Sequence, residues 1–247
     1  MERFGTNHLT GLTAVVTGAS GGIGSATADA LERTGVVVIR HTGRTKADFS
    51  VPDAADRFVD AVLEQSPKID IWVNAAGVDL MSSEMKRLTF DDRLRLLMEV
   101  DVFATVNMSR RIGCQMKKQG GGTIVFFSWD GATYGMVGET AQLYGVAKGA
   151  VLGFCRSLAA TLAPEVRVRC LSPGWIRTRW GANVSEEFQR LGTNDSLCGR
   201  WGEPSEVADA VLFLVSPQSE FVDGIDIRLN GGKRMSGPSE STKNRGV

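Results

Sequence analysis

Short apolar runs rich in β-branched residues alternate along this chain with longer segments of helical periodicity. Several of the runs are continuous, which is typical of parallel strands covered on both faces. The predicted strands cover residues 13–17, 36–39, 69–73, 123–127, 166–171 and 225–229. The predicted helices cover residues 24–34, 53–65, 89–118, 140–162 and 204–215. This alternation predicts an α/β fold, with one doubly wound parallel sheet and helices on both faces.

The pattern continues without a linker or an internal repeat, so we expect a single domain over residues 1–232. The polar segment 233–247, with its Gly, Pro and Ser residues, is expected to fray. One connection is short, because Asp48 follows Arg40, near the end of the second strand, by only eight residues. A parallel crossover normally needs about ten residues or more. Either the crossover helix is missing or the next strand is very short, and we expect an extended loop.

Composition excludes several classes of function. The chain carries 28 basic and 28 acidic residues, so its zero net charge gives no reason to expect nucleic acid or an anionic membrane as a partner. No apolar run approaches the roughly 20 residues of a membrane span, and the N-terminus lacks the features of a signal peptide. The four cysteines show no CxxC spacing, which predicts reduced thiols in a cytoplasmic protein. With two histidines, we expect neither a metal site nor a Ser-His-Asp triad.

The strongest local signal is a glycine-rich segment that follows the first predicted strand and opens a helix. It reads Thr17-Gly18-Ala19-Ser20-Gly21-Gly22-Ile23-Gly24. Gly18 would permit a tight turn, Gly22 the close approach of a pyrophosphate, and Gly24 close packing of the helix. Amides at the helix N-terminus would then face the phosphates. A glycine-rich turn without a ligand is the alternative, but its place in the first strand–helix unit favours a dinucleotide loop.

Two weaker signals follow. Asn74-Ala75-Ala76-Gly77 ends a predicted strand, where small residues suit the close passage of a cofactor, although they also form ordinary turns. Tyr144 and Lys148 lie four residues apart on one face of a predicted helix. An ammonium there is expected to lower the Tyr144 pKa from about 10 towards the range of an acid/base catalyst. Pairs at this spacing also occur by chance in many helices.

Together, in this order and spacing, the three segments resemble the short-chain dehydrogenase/reductase family. The resemblance covers about residues 9–232, including 172–178, 200–208, 223–224 and 230–232, and is strongest to the 3-oxoacyl-carrier-protein-reductase-like branch. It implies a Rossmann fold and hydride transfer between a nicotinamide and a carbonyl/alcohol pair. In such a protein Tyr144 would protonate the carbonyl oxygen, and Lys148 would hold the nicotinamide ribose and keep Tyr144 acidic. A serine at the end of a strand, by position Ser128, would bind the substrate oxygen.

The resemblance also implies further cofactor contacts and shows departures from the family pattern. The contacts would come from Gly18, Ser20, Gly22, Ile23, Gly24, Asp48, Asn74, Ala75, Gly77, Tyr144, Lys148, Pro173, Ile176 and Thr178. Asp101 stands where many relatives have the asparagine that supports the proton relay, and is a candidate to substitute for it. Arg169 stands where relatives usually have asparagine before the Pro-Gly motif.

The residue that binds the substrate oxygen has two candidates. Most relatives place the serine about a dozen residues before the tyrosine, whereas Ser128 precedes Tyr144 by 16. Counting back a dozen lands near Thr133, and Asp130 stands at a position where some relatives use an aspartate. Ser128 is favoured because it follows the apolar run of a strand, and an insertion within residues 130–140 would explain the spacing. Asp130 is the alternative, and a third outcome is that neither serves.

The cofactor is expected to be NADP(H) rather than NAD(H). No carboxylate stands at the end of the second strand before Asp48, where an NAD-binding fold would place one. Arg40 and Arg44 would pair with a 2′-phosphate, and Ser20 would add a hydroxyl. A solvated basic loop is the alternative.

We expect a small-molecule or acyl-thioester substrate, including one carried on a carrier protein, beneath a mobile lid at about residues 179–199. Four tryptophans, Trp129, Trp175, Trp180 and Trp201, fall in segments near that site and indicate an apolar or ring-bearing substrate or ordinary packing.

Alternative functions are an alcohol dehydrogenase that works oxidatively and a catalytically silent nucleotide-binding or scaffolding protein. The resemblance implies a homotetramer, with an apolar stripe at Leu94, Leu97, Met98, Val102 and Val106 as a candidate interface that also has a plain core interpretation.

Overall fold

Six parallel strands form one sheet in the order β2-β1-β3-β4-β5-β6. The computed structural model describes residues 6–43, 47–178, 181 and 184–233. The strands are β1 Thr13–Thr17, β2 Val37–Arg40, β3 Ile71–Asn74, β4 Gly122–Phe127, β5 Val166–Pro173 and β6 Asp226–Leu229. Each predicted run forms a strand, and every neighbouring pair is parallel. The predicted single doubly wound α/β domain is therefore confirmed.

Helices cover both faces of the sheet. They are α1 Gly22–Arg33, α2 Ala54–Gln65, α3 Phe90–Leu97, α4 Thr105–Lys118, α5 Gly131–Tyr134, α6 Glu139–Leu162, α7 Glu186–Asp195 and α8 Pro204–Val215. The helix predicted over 89–118 is interrupted, because the π-helical segment Met98–Ala104 joins α3 to α4. The short α5 and α7, which lies in the segment expected to form a lid, were not predicted. Within the described residues, no helix is both long and apolar enough to cross a membrane.

Two hydrophobic clusters flank the sheet, and successive strand residues contribute to opposite clusters. Val15, Trp72 and Phe126 pack with α2, α4 and α6, whereas their chain neighbours Val16 and Val73 pack with α1 and α8. Because strand side chains alternate between the two faces, a sheet with two buried faces needs continuous apolar strands. Burying one large apolar side chain contributes about 1.5–3 kcal/mol, so the two clusters supply the main stabilisation of the fold.

The short connection after β2 forms a loop, as expected, and its described residues contain no strand before α2. His41 anchors this loop to the first strand–helix turn. Its Nδ1 accepts a hydrogen bond from the Gly18 amide at 3.3 Å, so its Nε2 donates to the Ala47 carbonyl at 2.8 Å. The ring stacks on Phe49, with centroids 4.3 Å apart. The imidazole is therefore the neutral tautomer that carries its proton on Nε2.

Arg169, the departure before the Pro-Gly motif, is a fully buried cation. Its guanidinium donates to the carbonyls of Ser219, at 2.6 Å, and of Leu214 and Val222. Burial lowers the pKa of Arg169 to about 10, so it remains charged at neutral pH. Arg169 thus ties β5 to the end of α8 and to the turn that follows it.

Candidate functional site

A cleft of about 290 Å³ opens beside the carboxyl ends of β1 and β3. The chain leaves β1 towards β2 on one side and reaches β3 on the other, so the cleft lies at the point where a doubly wound sheet binds its ligands. It is lined by Gly18, Ser20, Gly21, His41, Gly43, residues 47–50, residues 75–79, Ser82, Glu84, Met85, Leu96 and Val100.

The glycine loop packs so closely that side chains are excluded. Gly18 has φ +65°, and a Cβ on it would lie 2.4 Å from the Ala75 carbonyl oxygen. A Cβ on Gly24 would lie 2.2 Å from the Gly18 carbonyl oxygen. A Cβ on Gly22 would lie 3.0 Å from the side chain of Thr178. The turn and helix-packing roles predicted for Gly18 and Gly24 therefore match the geometry, and Thr178 lies against the loop.

The residues of the cleft fit a dinucleotide. Within the described part of the chain, the first amides of α1, those of Gly22, Ile23 and Gly24, donate to no protein acceptor, which is the arrangement that binds phosphate. The Thr17 hydroxyl accepts from the Ala75 and Ala76 amides at 3.1 Å, which fixes the facing loop to the glycine loop.

Some of the other predicted cofactor residues line the cleft, and others are buried in the interior. Ser20, Asp48, Ala75 and Gly77 line the cleft as expected. Asn74 does not, because its buried amide accepts from the Trp72 indole at 2.9 Å and donates to Ser109 at 3.0 Å.

Two further positions in the segment after β5 turn inwards. Ile176 is buried and pairs with Gly202, which places its side chain in the core. Pro173 ends β5, and its carbonyl accepts from the Asp130 amide at 3.2 Å. Neither residue lines the cleft.

Arg40 does not line the cleft, contrary to its predicted contact with a 2′-phosphate. Its guanidinium pairs with Asp29 at 2.5 Å and Glu32 at 2.7 Å, one turn apart on α1. These hydrogen bonds raise its pKa further above the usual arginine value. The neutral His41, and no carboxylate, reaches the cleft from the end of β2. Arg44 lies outside the described residues, as do Arg179 and Trp180 of the expected lid.

Tyr144, Lys148 and Asp101 are brought together at the edge of this cleft. The Lys148 ammonium lies 2.8 Å from Asp101 Oδ2, and the Asp101 side chain is only 1% exposed. Asp101 Oδ1 accepts from the Val78 amide at 2.8 Å. The Tyr144 hydroxyl donates to the Val78 carbonyl at 2.9 Å and accepts from the Leu80 amide at 3.4 Å. Residues 78–80 therefore link the phenol to the ion pair.

Local backbone geometry makes room for the buried carboxylate. Asp101 lies in the π-helical segment, an irregularity that is frequent at functional sites. A Cβ on Gly77 would lie 2.9 Å from Asp101 Oδ2. Gly77 is thus required for the approach of the carboxylate as well as for the shape of the cleft, a role that the sequence did not reveal.

The prediction that Lys148 lowers the Tyr144 pKa is wrong for this structure. Burial raises the pKa of Tyr144, and the carboxylates of Asp101 and Asp79 raise it further, whereas the Leu80 amide opposes them. Burial is the main cause, and the Lys148 ammonium, which is paired with the Asp101 carboxylate at 2.8 Å, does not offset it.

The three residues after β4 point in different directions. Ser128 is buried, and its hydroxyl donates to the backbone carbonyl of Lys148 at 2.9 Å. Asp130 is buried on another side, accepts from Asn230 at 3.0 Å, and has its pKa raised mainly by burial. Trp129 lies against Tyr144, with ring centroids 6.2 Å apart. Its indole also leaves no room for a Cβ on Gly131. The sequence placed Trp129 near the substrate site but missed its contact with Tyr144.

An aromatic cluster packs against α7. Trp175 contacts Trp201, with centroids 5.1 Å apart, and Phe188, with centroids 6.3 Å apart. The Trp175 indole donates to Asp195 at 3.2 Å, and Asp195 also pairs with Lys233 at 2.6 Å. In this structure the tryptophans serve packing of α7.

Comparisons with known proteins agree with this architecture. A family model described as enoyl-(acyl carrier protein) reductase matches residues 39–234. The short-chain reductase protein NovJ of Streptomyces niveus is 34% identical, over 89% of this chain and 93% of its own. The 3-oxoacyl-(acyl-carrier-protein) reductase FabG of Vibrio cholerae is 31% identical, over 92% and 99%. The crystal structure of a 3-oxoacyl (acyl-carrier-protein) reductase from Agrobacterium tumefaciens with NADP bound is 27% identical, with a TM-score of 0.82 over 94% of this chain and 98% of that one.

Proposed function

Because this chain belongs to the short-chain dehydrogenase/reductase family and is an oxidoreductase, we propose that it uses NADPH to reduce a ketone, with 3-oxoacyl thioesters as the first substrate class to test. The observation that carries the proposal is that Tyr144 donates to Val78, which lines the cleft, and that Lys148 pairs with Asp101, which accepts from the Val78 amide. The names of the FabG and Agrobacterium relatives support the thioester class.

The nicotinamide cofactor supplies the hydride when it is bound. The amides of Gly22, Ile23 and Gly24, which donate to no acceptor among the described residues, would hold its pyrophosphate. The preference for NADPH is supported by the NADP in the Agrobacterium structure and by the absence of a carboxylate at the end of β2 among the described residues. Arg40 does not support it, because its guanidinium is bound to α1.

Tyr144 is the proposed proton donor to the substrate oxygen. The phenol now donates to the Val78 carbonyl, so this hydrogen bond must be exchanged for one to the substrate. Ser128 stays the proposed second donor, although its hydroxyl would have to release the Lys148 carbonyl to serve. An enzyme that oxidises an alcohol would instead need Tyr144 as a base, which its raised pKa opposes.

Assembly and location remain part of the proposal. The stripe predicted for the tetramer interface belongs to the core, since Leu97 and Val102 are buried and Leu94, Met98 and Val106 pack against them. A tetramer therefore rests on the resemblance, and on exposed apolar residues such as Phe103, 49% exposed. The four cysteines are free thiols, in line with the cytoplasmic location that we propose.

The test is cofactor consumption with NADPH and with NADH against a panel of ketones, 3-oxoacyl thioesters and alcohols. We expect NADPH-dependent reduction of at least one ketone or thioester, and tighter binding of NADPH than of NADH. Faster turnover of alcohols at neutral pH would favour the oxidative alternative. Binding of the cofactor without any turnover would indicate a silent nucleotide-binding protein.

A further inference from the structure

The ion pair between Lys148 and Asp101 is connected to Tyr144 through a single residue. One Asp101 oxygen contacts the ammonium at 2.8 Å and the other accepts from the Val78 amide at 2.8 Å. The Val78 carbonyl, in turn, accepts the proton of the Tyr144 hydroxyl at 2.9 Å. Both partners of the pair are largely buried, with 1% of the Asp101 and 15% of the Lys148 side chain exposed.

We propose that Asp101 is a positioning residue: its carboxylate holds the Lys148 ammonium in a buried ion pair, so that the ammonium does not promote loss of the Tyr144 proton. Its carboxylate acts on Tyr144 through Lys148 and Val78. The use of that proton in ketone reduction rests on the proposed function, whereas the protonation of Tyr144 is a property of the chain itself.

Electrostatic reasoning supports this role. An isolated ammonium near a buried phenol favours the phenolate, but an ammonium paired with a carboxylate has no net charge. The carboxylates that act on Tyr144 come from two elements, Asp79 from the loop after β3 and Asp101 from the π-helical segment, and Lys148 on α6 pairs with Asp101. Burial raises the pKa of Tyr144 most, and both carboxylates raise it further. The site is therefore arranged to retain the phenolic proton.

Titration of the tyrosines by their ultraviolet absorbance tests the proposal directly. The chain has only two tyrosines, so the difference between the wild-type protein and Tyr144→Phe isolates Tyr144. We expect it to ionise above the ordinary value of about 10. Ionisation of Tyr144 at or below that value in the wild-type protein would overturn the proposal.

Three variants assign the effect to Asp101. Asp101→Asn preserves the size of the side chain and an acceptor for the Val78 amide, and should lower the pH of Tyr144 ionisation by about one unit or more. Lys148→Met should raise the pH at which Tyr144 ionises, because it leaves the Asp101 carboxylate without its cation. In the double variant Asp101→Asn/Lys148→Met neither side chain is charged, so Tyr144 should ionise at a pH close to that in the wild-type protein. An unchanged titration in Asp101→Asn, or a double variant that titrates as low as Asp101→Asn, would contradict the proposal.

The pH profile of ketone reduction separates this inference from the proposed function. In Asp101→Asn the alkaline limb should move to lower pH by the same amount as the titration. If the titration moves and no ketone is reduced by any form, the proposed function fails and the inference stands. If ketones are reduced while the titration does not move, the inference alone fails.

Discussion

Two buried cations of this protein, Arg169 and Lys148, are stabilised in different ways. Arg169 is fully buried and donates to the carbonyls of Leu214, Ser219 and Val222. Lys148 is paired with the carboxylate of Asp101. Carbonyl oxygens satisfy the donors but supply no opposite charge, which is why burial lowers the pKa of Arg169 to about 10.

The difference indicates that Arg169 is a structural charge, whereas Lys148 lies in the candidate active site. The partners of Arg169 are backbone groups at the end of α8 and in the following turn, so removing Arg169 should affect the fold and leave no charge behind. The partner of Lys148 is a titratable group whose charge also acts on Tyr144. Removing either member of that pair should therefore affect both stability and the ionisation of the phenol.

The largest loss of stability is expected for Arg169→Met. The substitution removes three hydrogen bonds from a charged donor. The Val222 carbonyl loses its side-chain donor, whereas the Leu214 and Ser219 carbonyls keep the Ser219 hydroxyl and the Val222 amide. The free energy of unfolding should fall by about 4 kcal/mol. Urea denaturation measures this loss. Arg167→Met is the matched control, since Arg167 is only half-buried and donates to Thr123 at 3.0 Å and Ser216 at 3.3 Å. Equal losses in the two variants would contradict a special role of Arg169.

Lys148→Met should come next, with a loss of about 3 kcal/mol, because it leaves the Asp101 carboxylate buried without its cation. Adding Asp101→Asn should restore most of the stability. No second substitution of a charge can restore Arg169→Met in this way, since its partners are carbonyls. A double variant less stable than Lys148→Met would refute the different behaviour of the two cations.

Substitution of Ser128 tests whether this neutral donor, which is bonded to the Lys148 carbonyl, also binds the substrate oxygen. If it binds the substrate oxygen, Ser128→Ala should lower kcat by about 10²- to 10³-fold, with Asp130→Ala much milder. Steady-state kinetics of the two variants, with their folding checked by circular dichroism, gives the comparison. The reverse order would assign the role to Asp130.

The exposed pair of Glu206 and Arg200 should contribute least. Glu206 lies 2.7 Å from the Arg200 guanidinium and accepts from the Glu203 amide, which lowers its pKa to about 2. Because this folded-state pKa lies below the unfolded value of about 4.5, the contribution is present above pH 4.5 and is lost as the pH falls towards 2. Glu206→Gln, which keeps the cap, should cost about 0.5 kcal/mol at neutral pH. A denaturation loss comparable to that of Lys148→Met would show that burial does not distinguish these pairs.

The fold was largely predictable because its strands are buried on both faces. The continuous apolar runs identify all six strands, and the glycine spacing identifies the turn into α1. The π-helical interruption was not predictable, because the apolar periodicity on both sides of it is helical. The loop after β2 was expected from the shortness of that connection, but the sequence left open whether a short strand follows it, and none is present in the described residues before α2.

The site was predictable only where its residues are close in sequence. Tyr144 and Lys148 share one helix face. Asp101 was assigned to the same site only through the resemblance, and its direct contact with Lys148 depends on how the π-helical segment packs on α6. Arg40 was wrongly assigned to a phosphate. Its pairing with Asp29 and Glu32 depends on how α1 lies over β2, which the sequence does not reveal. The spacing argument compared Ser128 with Asp130 and passed over Trp129, whose direction depends on the backbone after β4.

The central claim is that the Tyr144 hydroxyl donates the proton in NADPH-dependent reduction. The most direct measurement compares turnover and NADPH affinity of Tyr144→Phe with those of Tyr134→Phe, in which the other tyrosine, bound to Arg228, loses its hydroxyl. We expect Tyr144→Phe to lose turnover by at least about 10²-fold with little change in NADPH affinity, and Tyr134→Phe to retain turnover. Near-wild-type turnover in Tyr144→Phe would contradict the account.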